Sequence, residues 1–245
     1  MSEPTSHHQY SHEHHFRRLA LWWTGGGLVF YLAIAYVLIP AVWRRAEGRH
    51  PALDTVPRIA RTHDNIPGDP LNIALIGSEK SLSHAMLAAG WHPADPLTLK
   101  SCLRIASDTV LRRPYTDAPV SNLFVWGRKQ DLAFEQPVGN DPRRRHHVRF
   151  WESKERDQQG RPLWIGAGTF DVKVGLSHTT GQVTHHISPD VDAERDHILT
   201  DLQKAGALSD VTWEPGFHSK LTGHNGGGDP YQTDGRLAIG ELVRR

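Results

Sequence analysis

The sequence predicts an α+β fold: one N-terminal transmembrane helix followed by a mixed, mostly antiparallel sheet with a few packed helices. Three observations carry this expectation. No charged residue stands between Arg18 and Arg44, three later stretches space apolar residues at the helical period, and several short runs rich in aromatic and β-branched residues are parted by turn-forming sequence.

The run over residues 19–43, LALWWTGGGLVFYLAIAYVLIPAVW, is about 25 residues long and exceeds the ~20 needed to cross the hydrocarbon of a bilayer. As a helix it would reach ~37 Å, so it is expected to tilt. Trp22, Trp23 and Trp43 occupy headgroup-belt positions, with arginines just outside them. A cleaved signal peptide is the competing reading, but its apolar region is roughly 7–15 residues and ends at small residues, whereas this run ends IPAVWRR. Arg17 and Arg18 precede the span, while Arg44, Arg45, Arg49, Arg58 and Arg61 follow it. Positive-inside counting therefore expects a single pass through the inner (cytoplasmic) membrane, the bilayer as partner and the large domain on the cytoplasmic side.

Residues 1–18 hold His7, His8, His12, His14 and His15 among polar residues and read as a disordered His-rich tail. Residues 44–68 read as a linker, with Pro51, Pro57, Pro67, Gly48 and Gly68. The soluble domain is then expected over residues 69–245. Lys+Arg of 28 against Asp+Glu of 27 leaves no global field, so no nucleic-acid partner is expected. A sole cysteine, Cys102, excludes an intramolecular disulfide.

Within that domain LNIALIG reads as a strand, followed by a helix capped by Ser78 with Leu82, Met86, Leu87 and Trp91 at helical spacing. A second helix is expected over residues 97–111, with Leu99, Leu103, Ala106 and Val110 on one side and Pro114 ending it. SNLFVWG, HHVRFWE and LWIGAGTFDV read as strands. A third helix is expected to begin with Pro189 in its first turn and to stop at Gly206, and SDVTWEP and RLAIGELV close the sequence as extended segments.

Consecutive strand residues point to opposite faces, so each histidine doublet, His146-His147 and His185-His186, offers at most one ring to a shared site. Val148 and Phe150 share a face with His146, and Val183 and Ile187 share one with His185. His147, Arg149 and His186 are left as preferred site members, with hydrogen-bonded strand histidines as the plainer alternative. In PDVDAERDHILTDLQKAG, Val191, Ile198, Leu202 and Ala205 form a buried stripe that includes Arg195. A guanidinium there needs a carboxylate or a bound anion, and Asp192 and Asp196 share the neighbouring face. A metal reading joins His178, His186 and Asp192, ligand types that zinc or manganese accepts, though without an H-x-x-x-H or H-E-x-x-H spacing. It leaves the metal and any cofactor unspecified.

Arg143, Arg144 and Arg145 form a basic run able to bind phosphate or to sit as a solvated loop. The segment GHNGGGDPYQTDGR leads into Asp229-Pro230 and not into a helix with Lys-Ser/Thr, so it is no phosphate loop and reads as a flexible turn. No serine nucleophile elbow occurs, and Cys102 in an apolar helical pattern reads as structural.

From about Gly68 to Val243 the chain resembles the LssY C-terminal domain family of bacterial proteins. The stretches that carry the resemblance are GDPLNIALIGS, AAGWHPADPLTL, RPYTDAPVSNLFVWGRKQDLAFEQPVG, RRRHHVRFW, GLSHTTGQVTHHISPDVDAERDH and NGGGDPYQTDGR. In relatives this domain is often fused behind multi-pass segments similar to type 2 phosphatidic acid phosphatases or DedA-type membrane proteins, which implies business with membrane lipid phosphates. The resemblance carries over no catalytic residues. This chain also lacks the K-x6-R-P, P-S-G-H and S-R-x5-H-x3-D signatures of that phosphatase, so it is not expected to be that enzyme.

Three functions follow as expectations. The first is a membrane-tethered accessory or binding domain recognising an anionic, lipid-phosphate-like group through His147, Arg149, Arg195, Arg143 and Arg144. The second is a metal- or His-dependent hydrolase at the membrane surface, with His178 or His186 as general acid–base and Asp192 orienting it or holding a metal. The third is a structural partner in an envelope or secretion assembly.

Overall fold

The computed structural model describes residues 22–39, 42, 53–94, 122–139, 144–157, 159–179, 181 and 183–243. The His-rich tail, the helix expected over residues 97–111 and Arg143 lie outside the described residues. The chain divides into two compact units, Met1–Arg49 and His50–Arg245. In the first, residues 22–33 are α-helical and pass into a π-helical turn, Ile34–Leu38. The large side chains of this segment, Trp22, Phe30 and Tyr36 among them, are exposed. Among the described residues no helix is long and apolar enough to cross a membrane; the expected span over 19–43 lies partly outside them.

The second unit is α+β and dominated by antiparallel pairing. Its described strands are β1 (Ile59–Arg61), β2 (Pro67–Pro70), β3 (Ile73–Ile76), β4 (His92–Pro93), β5 (Phe124–Val125), β6 (Arg128–Lys129), β7 (Leu132–Pro137), β8 (Arg145–Arg156), β9 (Pro162–Leu176), β10 (Val183–Ile187), β11 (Leu208–Glu214), β12 (Thr222–His224), β13 (Pro230–Gln232) and β14 (Leu237–Leu242). The helices α1 (Glu79–Ala88) and α2 (Val191–Lys204) join them. The main sheet runs β11-β14-β3-β9-β8-β7-β4, with β10 paired to β9. In it β14 and β3 are parallel and the other neighbours antiparallel.

Strand alternation sends two sets of apolar side chains to opposite faces of this sheet. Ile73, Leu75, Val148, Phe150, Trp164 and Ala238 meet Leu82 and Met86 of α1 and Ile198 and Leu202 of α2. Ala74, Ile76, Trp151, Ile165, Leu237 and Ile239 meet Leu53, Val56, Ala60, Leu123 and Val125. Both faces are therefore buried, helices covering one and the small sheet β2-β1-β5-β6 lying on the other.

That second layer corrects the linker reading of residues 44–68. From Leu53 onward the segment is part of the fold, and Leu53 and Val56 are 3% and 4% exposed. Burying each such side chain stabilises by about 1.5–3 kcal/mol, an incentive that the local proline and glycine content concealed. Likewise the described part of SNLFVWG, residues 122–127, holds a short strand and a turn: Trp126 and Gly127 both have positive φ, 51° and 74°, and fold β5 onto β6 as a hairpin.

The helix ends follow local chemistry. Ser78 caps α1, its hydroxyl accepting from the Ser81 amide. α2 begins two residues later than expected, because Asp190, not the vicinity of Pro189, supplies the cap by accepting from Ala193 N. Gly206, at φ 61°, terminates it where no side chain would sit without strain.

Candidate functional site

Arg145, His147 and Arg149 alternate along β8 on the face that carries Trp151, but toward Arg145 the apolar second layer gives way to polar groups. Arg145, His147, Arg149, Thr169, Asp171 and Asp69 are all buried there. Cross-strand register sets Arg145 opposite Asp171 and His147 opposite Thr169. The β2 segment brings Asp69 over Arg149, and β10 brings His185 beside Arg145. Arg145, Arg149, Thr169, Asp171, Asp69 and His185 line a cleft of about 370 Å³, completed by Asn225, Gly226 and Gly227, and His147 is not part of its lining.

The buried charges at this end of the sheet are paired. Arg145 donates from Nε to Asp171 at 3.1 Å and from Nη1 to Glu135 at 2.8 Å, and its Nη2 lies 3.4 Å from His185 Nε2. Arg149 donates to Asp69 at 3.1 Å, and Asn225 Nδ2 reaches the other Asp69 oxygen at 3.4 Å. Three carboxylates thus face two guanidiniums. Burial dominates their titration. It pushes the Asp171 carboxyl up to about 6 despite Arg145, and raises those of Asp69 and Glu135 despite Arg149 and Arg145 respectively. Burial, reinforced by Arg145, brings His185 down to about 4. His147 is held well below its ordinary value by burial and by Arg149 and Arg145, so its ring is neutral near pH 7.

A second cluster adjoins the cleft. His186 Nδ1 lies 2.6 Å from Asp229 Oδ1, and the His178 ring lies 5.3 Å from that of His186. His178, His186 and Asp229 each present a ligand atom within 4.8 Å of the others. The structure thus groups the two histidines of the metal reading with Asp229 and not with Asp192. Asp192 instead serves the Arg195 network, where it accepts from Arg195 Nη1 at 2.9 Å, from Thr233 Oγ1 at 3.0 Å and from the Asp234 amide.

Arg195 is buried, as its place in the α2 stripe required, but its partners are carboxylates of the protein. Asp234 takes a bidentate pair at 3.0 and 3.1 Å, and Asp196 accepts from Nε at 2.8 Å. It is a scaffold residue away from the cleft. Arg144 is exposed, its guanidinium 5.8 Å from the Phe170 ring centroid, and lines no part of the cleft. Of the expected ligand residues the structure therefore brings Arg149 to the cleft. It does not bring Arg144 or Arg195 there.

Sequence reasoning missed Asp171, Asp69, His185 and Asp229, and took Arg145 only as part of the basic run. Arg145 shares the parity of His147 and Arg149, a signal available in the sequence but absorbed into the basic run. Asp171 becomes its partner only through the β8–β9 register, and Asp69 only through the second layer, neither of which spacing reveals. His146, assigned to the core face, stacks on His197 at 3.9 Å and meets Glu194 at 2.7 Å, a polar contact inside the helical layer.

Comparison with known proteins gives one family match: the model described as LssY C-terminus covers residues 53–237. Its first residue is the first buried residue of the second layer, Leu53. No curated protein and no solved structure matches the chain.

Proposed function

We propose that this chain, which belongs to the LssY C-terminus family, is a membrane-tethered binding module whose cleft takes a phosphate-like anionic group. The observation that carries the reading is the pair of buried guanidiniums, Arg145 and Arg149, that line one cleft with Asp171 beside them. Guanidiniums match the oxygen geometry of phosphate and sulfate. With three acids facing two arginines, these groups by themselves carry no surplus positive charge, so an arriving anion has to bring a proton with it. Asp171, titrating at about 6 among Arg145, Arg149, Asp69, Glu135 and His185, is the group suited to take that proton. Once protonated, it can donate a hydrogen bond to the anion.

This coupling has a definite sign. An anion raises the Asp171 pKa above its free value of about 6, so affinity is level below that pH. Above it affinity falls, by at most about tenfold per pH unit, until the bound-state pKa is passed. Sulfate is the appropriate probe because its own charge is constant over this range. Equilibrium dialysis of the full chain in neutral detergent should show sulfate binding at pH 5.5 that weakens by pH 7.5. The charge-neutral pair Asp69→Asn/Arg149→Met, which strands no buried charge, should abolish it. Equal sulfate retention by that variant and the native chain would refute the reading. Soluble glycerol phosphate against vesicles containing phosphatidic acid then separates a free phosphate from a lipid headgroup.

A hydrolytic reading is favoured by one observation, the near-neutral Asp171 carboxyl in a cleft, which suits proton transfer. Turnover of a phosphomonoester that disappears in Asp171→Asn would support it over simple binding.

The tether is supported by the uncharged run over residues 19–43, and the arginine excess after it supports a cytoplasmic-side domain at the inner membrane. The full chain is expected to sediment with membranes through alkaline carbonate washing. Release by that wash would remove the tether from the proposal and leave the cleft untouched.

A further inference from the structure

The geometry points to a divalent transition-metal site formed by His178, His186 and Asp229, whose chain neighbours Ser177, His185, Ile187 and Gly227 line the cleft. Two imidazoles and a carboxylate whose ligand atoms lie within 4.8 Å of one another form a donor set suited to zinc, manganese, iron or cobalt. His186 and Asp229 are buried while His178 is exposed, so a bound ion would keep a side open to solvent and ligand. A cation entering between them replaces the hydrogen bond from His186 to Asp229.

The surrounding backbone is built to hold these groups in place. Asn225 Oδ1 accepts from Gly227 N at 3.0 Å and from Asp229 N at 2.9 Å, closing the N-G-G-G-D segment on itself. Asp229 Oδ2 also accepts from Ile187 N at 3.2 Å, which ties the loop to β10 beside His186. His178 N donates to Gly227 O at 2.8 Å, which ties the third ligand to the same loop. Two glycines make the room. A Cβ at Gly228 would lie 2.7 Å from His178 Cβ, and one at Gly175 would lie 2.7 Å from His186 Nε2. The segment that reads as a flexible turn in the sequence is therefore a rigid platform under two imidazoles. The acid excess of the neighbouring cleft favours a cation beside it, and a metal there would add positive charge next to a phosphate-like ligand.

The test uses metal alone and reads binding, not activity. Because tail histidines bind metals unspecifically, the parent is the full chain with His7, His8, His12, His14 and His15 replaced by serine. After dialysis against zinc or cobalt this parent should retain one equivalent, and the cobalt form should show a visible ligand-field band. His178→Ala, at an exposed position whose loss does not threaten folding, should weaken retention by at least about 100-fold and remove the band. Asp229→Asn should do the same, while His224→Ala, an exposed histidine outside the set, should change nothing. No retained metal in the parent, or equal retention in His178→Ala, overturns the proposal. Sulfate binding measured in the presence of a chelator tests the anion reading separately, so each can fail without the other.

Discussion

Arg195→Met should destabilise the folded unit His50–Arg245 by about 3 kcal/mol, read as a lower urea midpoint at unchanged m-value. Arg195 is 1% exposed and answers three aspartates: Asp234 through a bidentate pair, Asp192 and Asp196. Its guanidinium also lies 4.7 Å from the Trp213 ring centroid. Methionine fills the volume but leaves Asp192 and Asp234 facing each other without their shared cation. Asp196, 58% exposed, rehydrates and contributes little. The loss belongs at the lower end of the range for broken buried pairs, since Thr233 still donates to Asp192 and Arg236 still pairs with Asp234. Asp192→Asn in the same chain should recover part of the loss, giving a coupling term well above experimental error. Arg195→Lys should not rescue, because an ammonium cannot reproduce the fork onto Asp234. A deficit below about 1 kcal/mol would show that the network is not needed for stability.

Arg195 shows what periodicity can deliver. Its position between Val191 and Ile198 required burial, and burial required a carboxylate or an anion, so both the residue and its need were legible. Which of the two satisfied it depended on Asp234, in a loop far along the chain, and no local pattern reports that. The same division holds elsewhere. Ser78 as a cap and Gly206 as a stop were readable because capping is local. The second layer was not, because Leu53, Val56 and Ala60 gain their meaning from Trp151, Ile165 and Ile239, far away in sequence. The candidate site sits where that hidden layer meets β8, so parity placed Arg149 while Asp69 and Asp171 stayed out of reach. Asp229 was hidden differently. Its glycine-rich neighbours signal mobility in most contexts, whereas here they clear space for His178 and His186.

Arg145→Met should produce a deficit whose size depends on pH. Arg145 is buried between Asp171 and Glu135, whose side chains are 6% and 16% exposed. Burial already holds both carboxyls above their ordinary values, and Arg145 is the leading opposing influence on each. A carboxyl with a raised folded-state pKa makes the folded state bind more protons than the unfolded one. Stability therefore falls as pH rises between the unfolded value, near 4, and the folded value. For native Asp171 that window closes at about 6. Without Arg145 it extends upward, so the variant keeps losing stability above pH 6 after the native protein has levelled off, by up to about 1.4 kcal/mol per pH unit for each carboxyl. The expected deficit is about 3–5 kcal/mol at pH 8, the range for a buried pair that loses one partner. It should shrink toward about 1 kcal/mol at pH 5, below the Asp171 value of about 6, where the residual cost is mainly that of lost hydrogen bonds. Denaturant titrations at pH 5, 6, 7 and 8 measure this directly. Adding Asp171→Asn and Glu135→Gln removes the titrating groups and should flatten the dependence. A deficit of constant size from pH 5 to 8 would mean that Arg145 acts through packing alone and that the acids of the cleft do not feel its charge.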